Sequence, residues 1–276
     1  MRIEHLTPHI GSEISGIDLG DADQLTPAAE QLRALLAQRQ VIFFRDQELS
    51  PAQQVRVARV FGNVERVSST FPSHADDPHL ELLVSQGTRT GTDIWHADLT
   101  WQRRPPAGAC LYAVDVPDTG GDTMWASMTA AFASLNPHMQ AYLRQLRALH
   151  DWEAPALKDN LAQRDPTGEL YRATREKNVP IEQPVVLEHP VTGKPVVFVN
   201  SLYTTHIQGV THDESVALIA FLSGLAKVPE WQVRFRWRKG SVAVWDNLAT
   251  QHYAVNDYHP ATRRMHRVAI RSNQGE

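Results

Sequence analysis

An alternation of aromatic and polar residues in the last third of the chain constrains the fold most strongly. Along residues 231–238, large apolar residues alternate with a glutamine and three arginines, which is the pattern of a strand with one buried face. A Lys239–Gly240 turn leads to a second apolar strand at 241–245, and a third strand is predicted at about 263–271. Because short turns rather than helices join these strands, we predict that consecutive strands pair antiparallel.

Helices are predicted mainly outside this region. Thr26 and Ser50 each precede a proline, and proline is favoured at the first helical position. A capping box, Thr-His-Asp-Glu, starts at Thr211. The predicted helices lie at 27–40, 51–61, 127–147 and 212–226, and the earlier predicted strands lie at 41–44, 80–86 and 108–115. This order of elements predicts an α+β fold, a double-sheet antiparallel jelly roll that carries helices on one side.

The length of the chain, 276 residues, is typical of one domain, and we predict a single domain over residues 1–276. Residues 150–183 are polar with little periodicity. Such a segment predicts an insert that serves as a lid over an active site.

Charge and cysteine content exclude several classes of protein. The formal charge of −4 gives no basic footprint for nucleic acid, and the longest apolar runs are too short to span a bilayer. The single cysteine, Cys110, suits a reducing compartment. We therefore expect a cytoplasmic protein without nucleic-acid or membrane partners.

Histidine followed two residues later by a carboxylate is the first candidate for metal chemistry. Non-haem iron(II) sites use two imidazoles and one carboxylate on one face of the metal, and strand residues i and i+2 point to the same side. Four such pairs occur, at His74/Asp76, His79/Glu81, His96/Asp98 and His212/Glu214. With 13 histidines and 31 acidic residues, roughly one or two pairs are expected by chance. The motif alone therefore identifies no site.

The surroundings separate these four pairs. His74 and His79 lie in a polar stretch that is typical of a solvated loop, and helix capping explains the pair at His212. His96 and Asp98 lie in the sequence Ile-Trp-His-Ala-Asp-Leu-Thr-Trp, which can form a dry pocket. On spacing and surroundings alone, a ligand pair and a structural hydrogen bond are equally open.

A third ligand has to be a histidine that is distant in sequence. His252 follows the predicted strand 241–245 and a turn-like Asp-Asn, although a structural histidine at a strand end is the commoner explanation for such a residue. His266 is the alternative ligand. Strand parity disfavours His266, because it faces away from the side that Arg263 and Arg267 share.

Arg263 and Arg267 are four residues apart on one predicted strand and therefore project to the same side. Two guanidinium groups in one cavity are unfavourable unless anions pair with them, and carboxylates or sulfonates do so through two hydrogen bonds. The alternative is that both side chains point to solvent or to nearby Asp and Glu. The pattern supports the two interpretations equally.

Several sequence blocks resemble the taurine dioxygenase family, which includes alkylsulfatases and aryloxyalkanoate dioxygenases. The matching blocks follow the family's order over nearly the whole chain and lie at 11–19, 41–45, 95–100, 120–123, 189–193, 245–247, 250–252 and 263–267. The resemblance implies a double-stranded β-helix, which agrees with the predicted jelly roll. It also implies an oxidoreductase that uses iron(II), 2-oxoglutarate and dioxygen and releases succinate and carbon dioxide.

The resemblance also assigns roles to individual residues. It implies that His96, Asp98 and His252 bind the iron. It implies further that Arg263 and Thr123 bind 2-oxoglutarate. Because related halogenases lack the carboxylate, the presence of Asp98 favours hydroxylation over halogenation.

By the same resemblance, Arg267 pairs with an anionic group of the substrate. Taurine itself is not expected, because Val67 and Thr70 stand where taurine-cleaving relatives have a histidine and a tyrosine, and Thr92 replaces an asparagine. The remaining pocket positions by this resemblance are Leu99, Trp101 and Tyr203. We therefore predict hydroxylation of a bulkier or more apolar organic anion, namely an alkyl sulfate, a sulfonate or an aryloxyalkanoate.

Two other functions stay open at this stage. The same scaffold can hold an iron oxygenase that desaturates or otherwise oxidises a biosynthetic intermediate. A catalytically silent binding protein can also keep the jelly roll, although the complete set of ligands and arginines argues against it. The resemblance further implies a homo-oligomer, a dimer or a tetramer.

Overall fold

Seventeen strands and six helices make up the described part of the chain. The structure, a computed structural model, describes residues 1–66, 72–86, 93–153 and 167–272. The strands are β1 (Arg2–His5), β2 (Ser12–Ser15), β3 (Val41–Phe44), β4 (Asn63–Val64), β5 (Ser73–His74), β6 (Asp77–Gln86), β7 (Gly108–Asp115), β8 (Thr123–Ser127), β9 (Arg147–His150), β10 (Ile181–Pro184), β11 (Val186–Glu188), β12 (Pro195–Val197), β13 (Thr204–Ile207), β14 (Gln232–Phe235), β15 (Val242–Asp246), β16 (Thr250–Ala254) and β17 (Thr262–Arg271). The helices are α1 (Ala22–Arg39), α2 (Pro51–Phe61), α3 (Met128–Ala133), α4 (Pro137–Leu143), α5 (Glu169–Lys177) and α6 (His212–Gly224).

The helices α2 and α6 begin where the sequence predicts, because each has a capping box. The hydroxyls of Ser50 and Thr211 accept a hydrogen bond from the backbone N–H three residues on, and the side chain of that third residue bonds back to the cap. The strands β3 and β7 also have the predicted bounds.

Other predicted elements have different bounds. α1 starts before residue 27 because Asp21 caps it, and Pro27 lies inside the helix. The predicted helix at 127–147 is two short helices, α3 and α4, because Asn136 caps a new helix before the chain enters β9. β6 begins three residues earlier than the strand predicted at 80–86.

A large sheet forms one side of the jelly roll. Its nine described strands run in the order β1-β2-β3-β15-β7-β17-β6-β5, with β4 paired to β17. β2 and β3 pair parallel, and the other neighbours pair antiparallel. A smaller antiparallel sheet has the order β14-β8-β16. The predicted α+β fold with a jelly-roll core is confirmed.

Consecutive strands of the last third do not pair with each other, so that prediction is wrong. β14 pairs with β8 in the smaller sheet, whereas β15 pairs with β3 and β7 in the larger one. A turn at Gly240, with φ +78°, carries the chain from one sheet to the other. Alternation of residues shows which face of a strand is buried, but it does not identify the neighbouring strand.

An aromatic core fills the space between the two sheets. Phe43 of β3 stacks on Phe235 of β14 with ring centroids 4.1 Å apart, and it meets Trp125 of β8 edge-on at 5.4 Å. Met265 of β17 belongs to the same cluster. The inner face of β17 is therefore directed towards β8 and β14.

Helices cover both sheets rather than one side, which corrects the prediction. α1 and α2 pack on the outer face of the large sheet, against residues such as Val244 and Val268. α3, α4 and α6 form a separate cluster with β9, β11 and β12, and Ala126 of the smaller sheet joins that cluster.

The predicted lid at 150–183 contains regular structure in its described parts. It starts at the last residue of β9 and includes α5 and β10, which pairs with β9. The guanidinium of Arg175 on α5 lies 2.8 Å from the carboxylate of Asp151. Residues 154–166 lie outside the described residues.

Candidate metal centre

A pair of backbone hydrogen bonds places His96 beside His252. The N–H of His96 donates to the carbonyl of His252 at 3.0 Å, and the N–H of His252 donates to the carbonyl of His96 at 2.7 Å. The two imidazole centroids are 4.2 Å apart as a result. β16 thus contains His252 and fixes the position of His96 through these backbone hydrogen bonds.

Asp98 lies in a tight turn that Asn247 holds in place. The N–H of Asp98 donates to the side-chain oxygen of Asn247 at 2.7 Å, and the Asn247 amide donates back to the Asp98 carbonyl at 2.9 Å. Leu99, the next residue, has φ +53°, a conformation that is unfavourable for a leucine. The paired hydrogen bonds from Asn247 offset this strain and fix the carboxylate. In the sequence, Asn247 is marked only as part of a block that resembles the family, and its hydrogen bonds to Asp98 were not predicted.

The three side chains converge as a metal site requires. Asp98 Oδ1 lies 3.6 Å from His96 Nε2 and 3.9 Å from His252 Nε2. Within the described ranges, these three residues form the one group of three or more His, Cys, Asp or Glu whose ligand atoms all lie within 4.8 Å of one another. Two imidazole nitrogens and one carboxylate oxygen are the donor set of non-haem iron(II) oxygenases.

The protonation states also suit a metal. His96 Nδ1 lies 2.6 Å from the carbonyl oxygen of Ile94, so Nδ1 carries the proton and Nε2 keeps its lone pair. Burial, together with the neighbouring His96, lowers the pKa of His252 to about 3. Burial alone would raise the pKa of Asp98, but Arg267 and the two histidines hold it well below its usual range. At neutral pH the site presents a neutral His252 imidazole and an ionised carboxylate.

The alternative ligand His266 lies on the other face of β17. Its ring packs 5.3 Å from that of His74, near Tyr112, whereas Met265 and Arg267 on the inner face are buried. The parity argument is therefore confirmed. So is the prediction that Arg263 and Arg267 share one side of the strand.

Arg267 pairs with two carboxylates of the protein. Its Nε and Nη2 lie 2.8 Å from Glu81 Oε2, and its Nη1 lies 3.1 Å from Asp98 Oδ2. Glu81 stands directly opposite Arg267 in the register of β6 and β17. The solvated loop predicted around His79 is wrong, because His79 lies in β6. Glu81 falls in the strand predicted at 80–86 and is 1% exposed. The order Leu80, Glu81, Leu82 in the sequence is the signal that places Glu81 on the opposite face of the strand from the two leucines.

Arg263 and Thr123 meet near the start of the same strand, four residues before Arg267. Thr123 Oγ1 accepts hydrogen bonds from Trp237 Nε1 at 2.9 Å and from Arg263 Nη2 at 3.4 Å. The Arg263 Nε is shielded from solvent and has no hydrogen-bond partner among the described residues. Burial lowers the pKa of Arg263. A shielded guanidinium with an unfilled donor is suited to a carboxylate ligand.

An aromatic wall adjoins the metal centre. Tyr203 is buried, and its pKa is raised by burial and by the nearby charge of Asp98. Its phenol forms hydrogen bonds with the Trp101 side chain and the Leu99 backbone. The structure thus places Tyr203 near Asp98 and in contact with Leu99 and Trp101. The other predicted pocket residues, Val67, Thr70 and Thr92, lie outside the described residues.

An uncharged network supports the turn that carries Asp98. His150 forms hydrogen bonds with Thr100 at 2.9 Å and with Thr204 at 3.2 Å, and Asn200 donates to Thr100 at 3.0 Å. Burial lowers the pKa of His150 to about 3, so the ring is neutral. The sequence analysis missed His150, since an isolated histidine at a strand end carries no motif.

Comparison with known proteins gives consistent matches. The family model described as taurine catabolism dioxygenase TauD, TfdA family matches residues 2–269. An alkylsulfatase of Acinetobacter baylyi is 31% identical over 98% of this chain and 84% of its own length. An alpha-ketoglutarate-dependent sulfate ester dioxygenase of Pseudomonas putida is 35% identical over 95% of this chain and 86% of its own length.

A solved structure agrees with these matches. The crystal structure of a taurine dioxygenase from Burkholderia xenovorans has a TM-score of 0.82 and 31% sequence identity, and the match covers 99% of this chain and 89% of that chain. In the described ranges, no helix is long and apolar enough to cross a membrane.

Proposed function

Because the chain belongs to the taurine catabolism dioxygenase TauD, TfdA family, we propose that it hydroxylates a small organic anion in a reaction that consumes 2-oxoglutarate and dioxygen. The proposed substrate is an alkyl sulfate, a sulfonate or an aryloxyalkanoate, and succinate and carbon dioxide are released. The alkylsulfatase and the sulfate ester dioxygenase among the relatives support this substrate class. The observation that carries the proposal is the His96–Asp98–His252 group with two inward-facing arginines on β17 beside it.

His96, Asp98 and His252 would hold iron(II), since their donor atoms match the set that such oxygenases use. When bound, the iron supplies the redox chemistry that activates dioxygen. Asp98 presents Oδ1 to the two imidazoles while Arg267 holds Oδ2, so one carboxylate oxygen is directed at the metal. The neutral His252 imidazole and the ionised Asp98 carboxylate can bind a metal at neutral pH without first losing protons.

Arg263 and Thr123 would bind the distal carboxylate of 2-oxoglutarate. Arg263 offers its unfilled Nε donor. The Thr123 oxygen already accepts from Trp237 and Arg263, so its own hydroxyl hydrogen is left to donate to a carboxylate oxygen. Trp237 also covers the guanidinium of Arg263, with the ring centroid 5.7 Å away, and this cover excludes water from the pair.

The substrate would lie between the aromatic wall and Arg267. Arg267 would attract the anionic group, and Tyr203 beside Asp98 would position the organic part near the metal centre. The residues proposed to line this pocket are Val67, Thr70, Thr92, Leu99, Trp101 and Tyr203. Taurine is not the proposed substrate, because the aliphatic Val67 and the shorter Thr70 provide fewer donors to a small sulfonate than the histidine and tyrosine of taurine-cleaving relatives.

The alternative functions are not favoured. A silent binding protein has no need for two histidines and a carboxylate whose ligand atoms converge within 4.8 Å, or for a shielded guanidinium with an unfilled donor. A desaturating enzyme of a biosynthetic route has the same metal site, but the sulfate ester relatives support anion hydroxylation instead.

The setting of the enzyme is proposed from composition and family. We expect a single domain with a lid around 150–183, a homodimer or homotetramer, and a cytoplasmic location. The formal charge of −4 supports a small-molecule substrate rather than nucleic acid.

Succinate formation tests the proposed function directly. Anaerobically reconstituted enzyme would receive iron(II), 2-oxoglutarate and then oxygen, with hexyl sulfate, hexanesulfonate, phenoxyacetate or taurine. We expect one of the first three to stimulate succinate release, His96→Ala to abolish the stimulation, and the exposed control His212→Ala to preserve it. Stimulation by taurine alone would contradict the proposed substrate class.

A further inference from the structure

Glu81 is a buried carboxylate in the wall of the proposed substrate cavity. It is 1% exposed and lies on the inner face of β6, between Leu80 and Leu82, which pack under the helices on the outer face. Both of its hydrogen bonds to Arg267 go to Oε2. Its Oε1 has no hydrogen-bond partner among the described residues.

Arg267 lies between Glu81 and Asp98 and joins their carboxylates. Its Nη1 bonds Asp98 Oδ2 at 3.1 Å, on the side of the metal ligands. The positive charge of Arg267 is thus balanced before any substrate arrives. When a metal takes up the charge of Asp98, Glu81 is the carboxylate that still balances Arg267.

We propose that Glu81 is a specificity-determining residue that sets how strongly this cavity selects an ionised head group over a neutral one. As the counter-charge of Arg267, it weakens the attraction of the cavity for anions. It also strengthens metal binding, because it offsets a cation that lies against a metal ligand. The effect on anion selectivity rests on the substrate class of the proposed function. The effect on metal binding does not depend on that substrate class.

A purely structural role does not explain the placement of Glu81. Replacing a buried ion pair by apolar residues of similar size is often neutral or stabilising, so the pair with Arg267 adds little to stability. The backbone hydrogen bonds of β6 and β17 already join the two strands. An unpartnered Oε1 in a dry site is unfavourable. The remaining explanation for the placement of Glu81 is its electrostatic effect on the cavity.

The first test measures metal affinity without any organic substrate. Mn²⁺ binding to the metal-free protein would be followed by electron paramagnetic resonance of free Mn²⁺ in the wild type, Glu81→Gln, Glu81→Asp and Glu13→Gln. Glu13 is the matched control, because its carboxylate also pairs with an arginine. Glu13 Oε2 lies 3.0 Å from Arg45 Nε, and this pair does not involve the triad. We expect Glu81→Gln to weaken Mn²⁺ binding by about tenfold, as one uncompensated charge several Å away would at an effective dielectric of about 20. The other two variants should stay within about twofold of the wild type.

The second test compares two ligands of the same shape and different charge. Hexane-1-sulfonate and hexane-1-sulfonamide would be titrated calorimetrically into the protein with Mn²⁺ and 2-oxoglutarate under anaerobic conditions. In the wild type we expect the sulfonate to bind less than about tenfold more tightly than the sulfonamide. Glu81→Gln should raise this ratio by about tenfold, and Glu81→Asp should keep it near the wild-type value.

The two tests together separate the proposal from its alternatives. Loosened structure would weaken both Mn²⁺ and sulfonate binding in Glu81→Gln, whereas the proposal requires opposite changes. Unchanged Mn²⁺ affinity and ligand ratio in a folded Glu81→Gln protein would overturn it. If that variant does not fold, the wild-type ratio decides, and a sulfonate preference above about a hundredfold would overturn the proposal. Binding of neither ligand with an altered Mn²⁺ affinity would exclude sulfonates as the substrate class and leave the metal part of the proposal intact.

Discussion

The two inward-facing arginines of β17 show how one strand can serve two ends of a cavity differently. At one end, Arg263 touches the Thr123 hydroxyl, and its shielded Nε has no partner within the described ranges. At the other end, Arg267 is held by Glu81 and Asp98. Both side chains leave the same face of the same strand. An unfilled donor indicates a ligand, whereas a completed ion pair indicates that the protein itself has set the local charge.

Removing Arg267 should affect the stability of the protein most. Arg267→Gln leaves two carboxylates, one of them in Glu81 at 1% exposure, without a counter-charge, and breaking such a pair costs about 3 kcal/mol of unfolding free energy. Arg263→Gln should cost less than about 0.5 kcal/mol, because Asp122, the carboxylate whose charge reaches Arg263, is already paired with Arg234 at 2.6 Å. Denaturant unfolding of the metal-free proteins measures both values. Equal losses of unfolding free energy in Arg267→Gln and Arg263→Gln would contradict the proposed difference between the two arginines.

Arg263 should dominate the binding of 2-oxoglutarate. Arg263→Gln removes a charged donor from a shielded site, and we expect the KM for 2-oxoglutarate to rise by about a hundredfold. Arg264→Gln is the matched control, since Arg264 is exposed on the outer face of the same strand and should leave the KM unchanged. Succinate assays at varied 2-oxoglutarate concentration provide the measurement, and a normal KM for Arg263→Gln would argue against this site.

The neutral network behind the Arg267 end should make the protein sensitive to acid. The pKa of His150 is about 3 in the folded protein against 6.5 as its ordinary value, so between these pH values the unfolded state binds the extra proton. Stability contributed by neutral His150 is therefore complete above pH 6.5 and falls by up to about 1.4 kcal/mol per pH unit below it. His150→Gln should reduce the slope of the unfolding free energy against pH by the amount that one proton contributes, about 1.4 kcal/mol per pH unit. The exposed control His138→Gln should not change it, and denaturation from pH 7 to pH 4 distinguishes the two.

Thr123 should have the smallest effect. Thr123→Val keeps the shape of the side chain and removes the hydroxyl that would donate to 2-oxoglutarate, so we expect the KM for this cosubstrate to rise by about fivefold, near 1 kcal/mol. Unfolding should become easier by about 1 kcal/mol, because the Trp237 indole loses its acceptor. A KM change as large as that of Arg263→Gln would mean that the hydroxyl, rather than the guanidinium, is the main contact.

The difference between the two arginines was only partly predictable from the sequence. Parity along β17 correctly places Arg263 and Arg267 on one face, because a strand repeats every two residues. The partner of Arg267 depends on the register between β6 and β17, and that register involves residues nearly two hundred positions apart. A strand at 80–86 was predicted, but its local alternation does not identify Arg267 as the partner of Glu81.

The proposed metal ligands were easier to identify from the sequence than the residues that support them. His96, Asp98 and His252 belong to a motif with a chemical reason and to blocks that resemble a family. Asn247 and His150 act through tertiary hydrogen bonds, which no local pattern records. The same limit applies to the prediction of the fold. Capping boxes located the starts of α2 and α6, but strand alternation did not identify which strands pair.

The central claim is that His96, Asp98 and His252 hold iron(II) while Arg263, and not Arg267, anchors 2-oxoglutarate. Anaerobic addition of iron(II) and 2-oxoglutarate, followed through the weak visible charge-transfer absorption of their chelate, tests this claim most directly. The account predicts that the band forms in the wild type at one iron per chain. Arg263→Gln should require about a hundredfold more 2-oxoglutarate for half the signal, and Arg267→Gln should require nearly the wild-type concentration at saturating iron. Absence of the band in the wild type, or equal 2-oxoglutarate requirements in the two variants, would contradict the account.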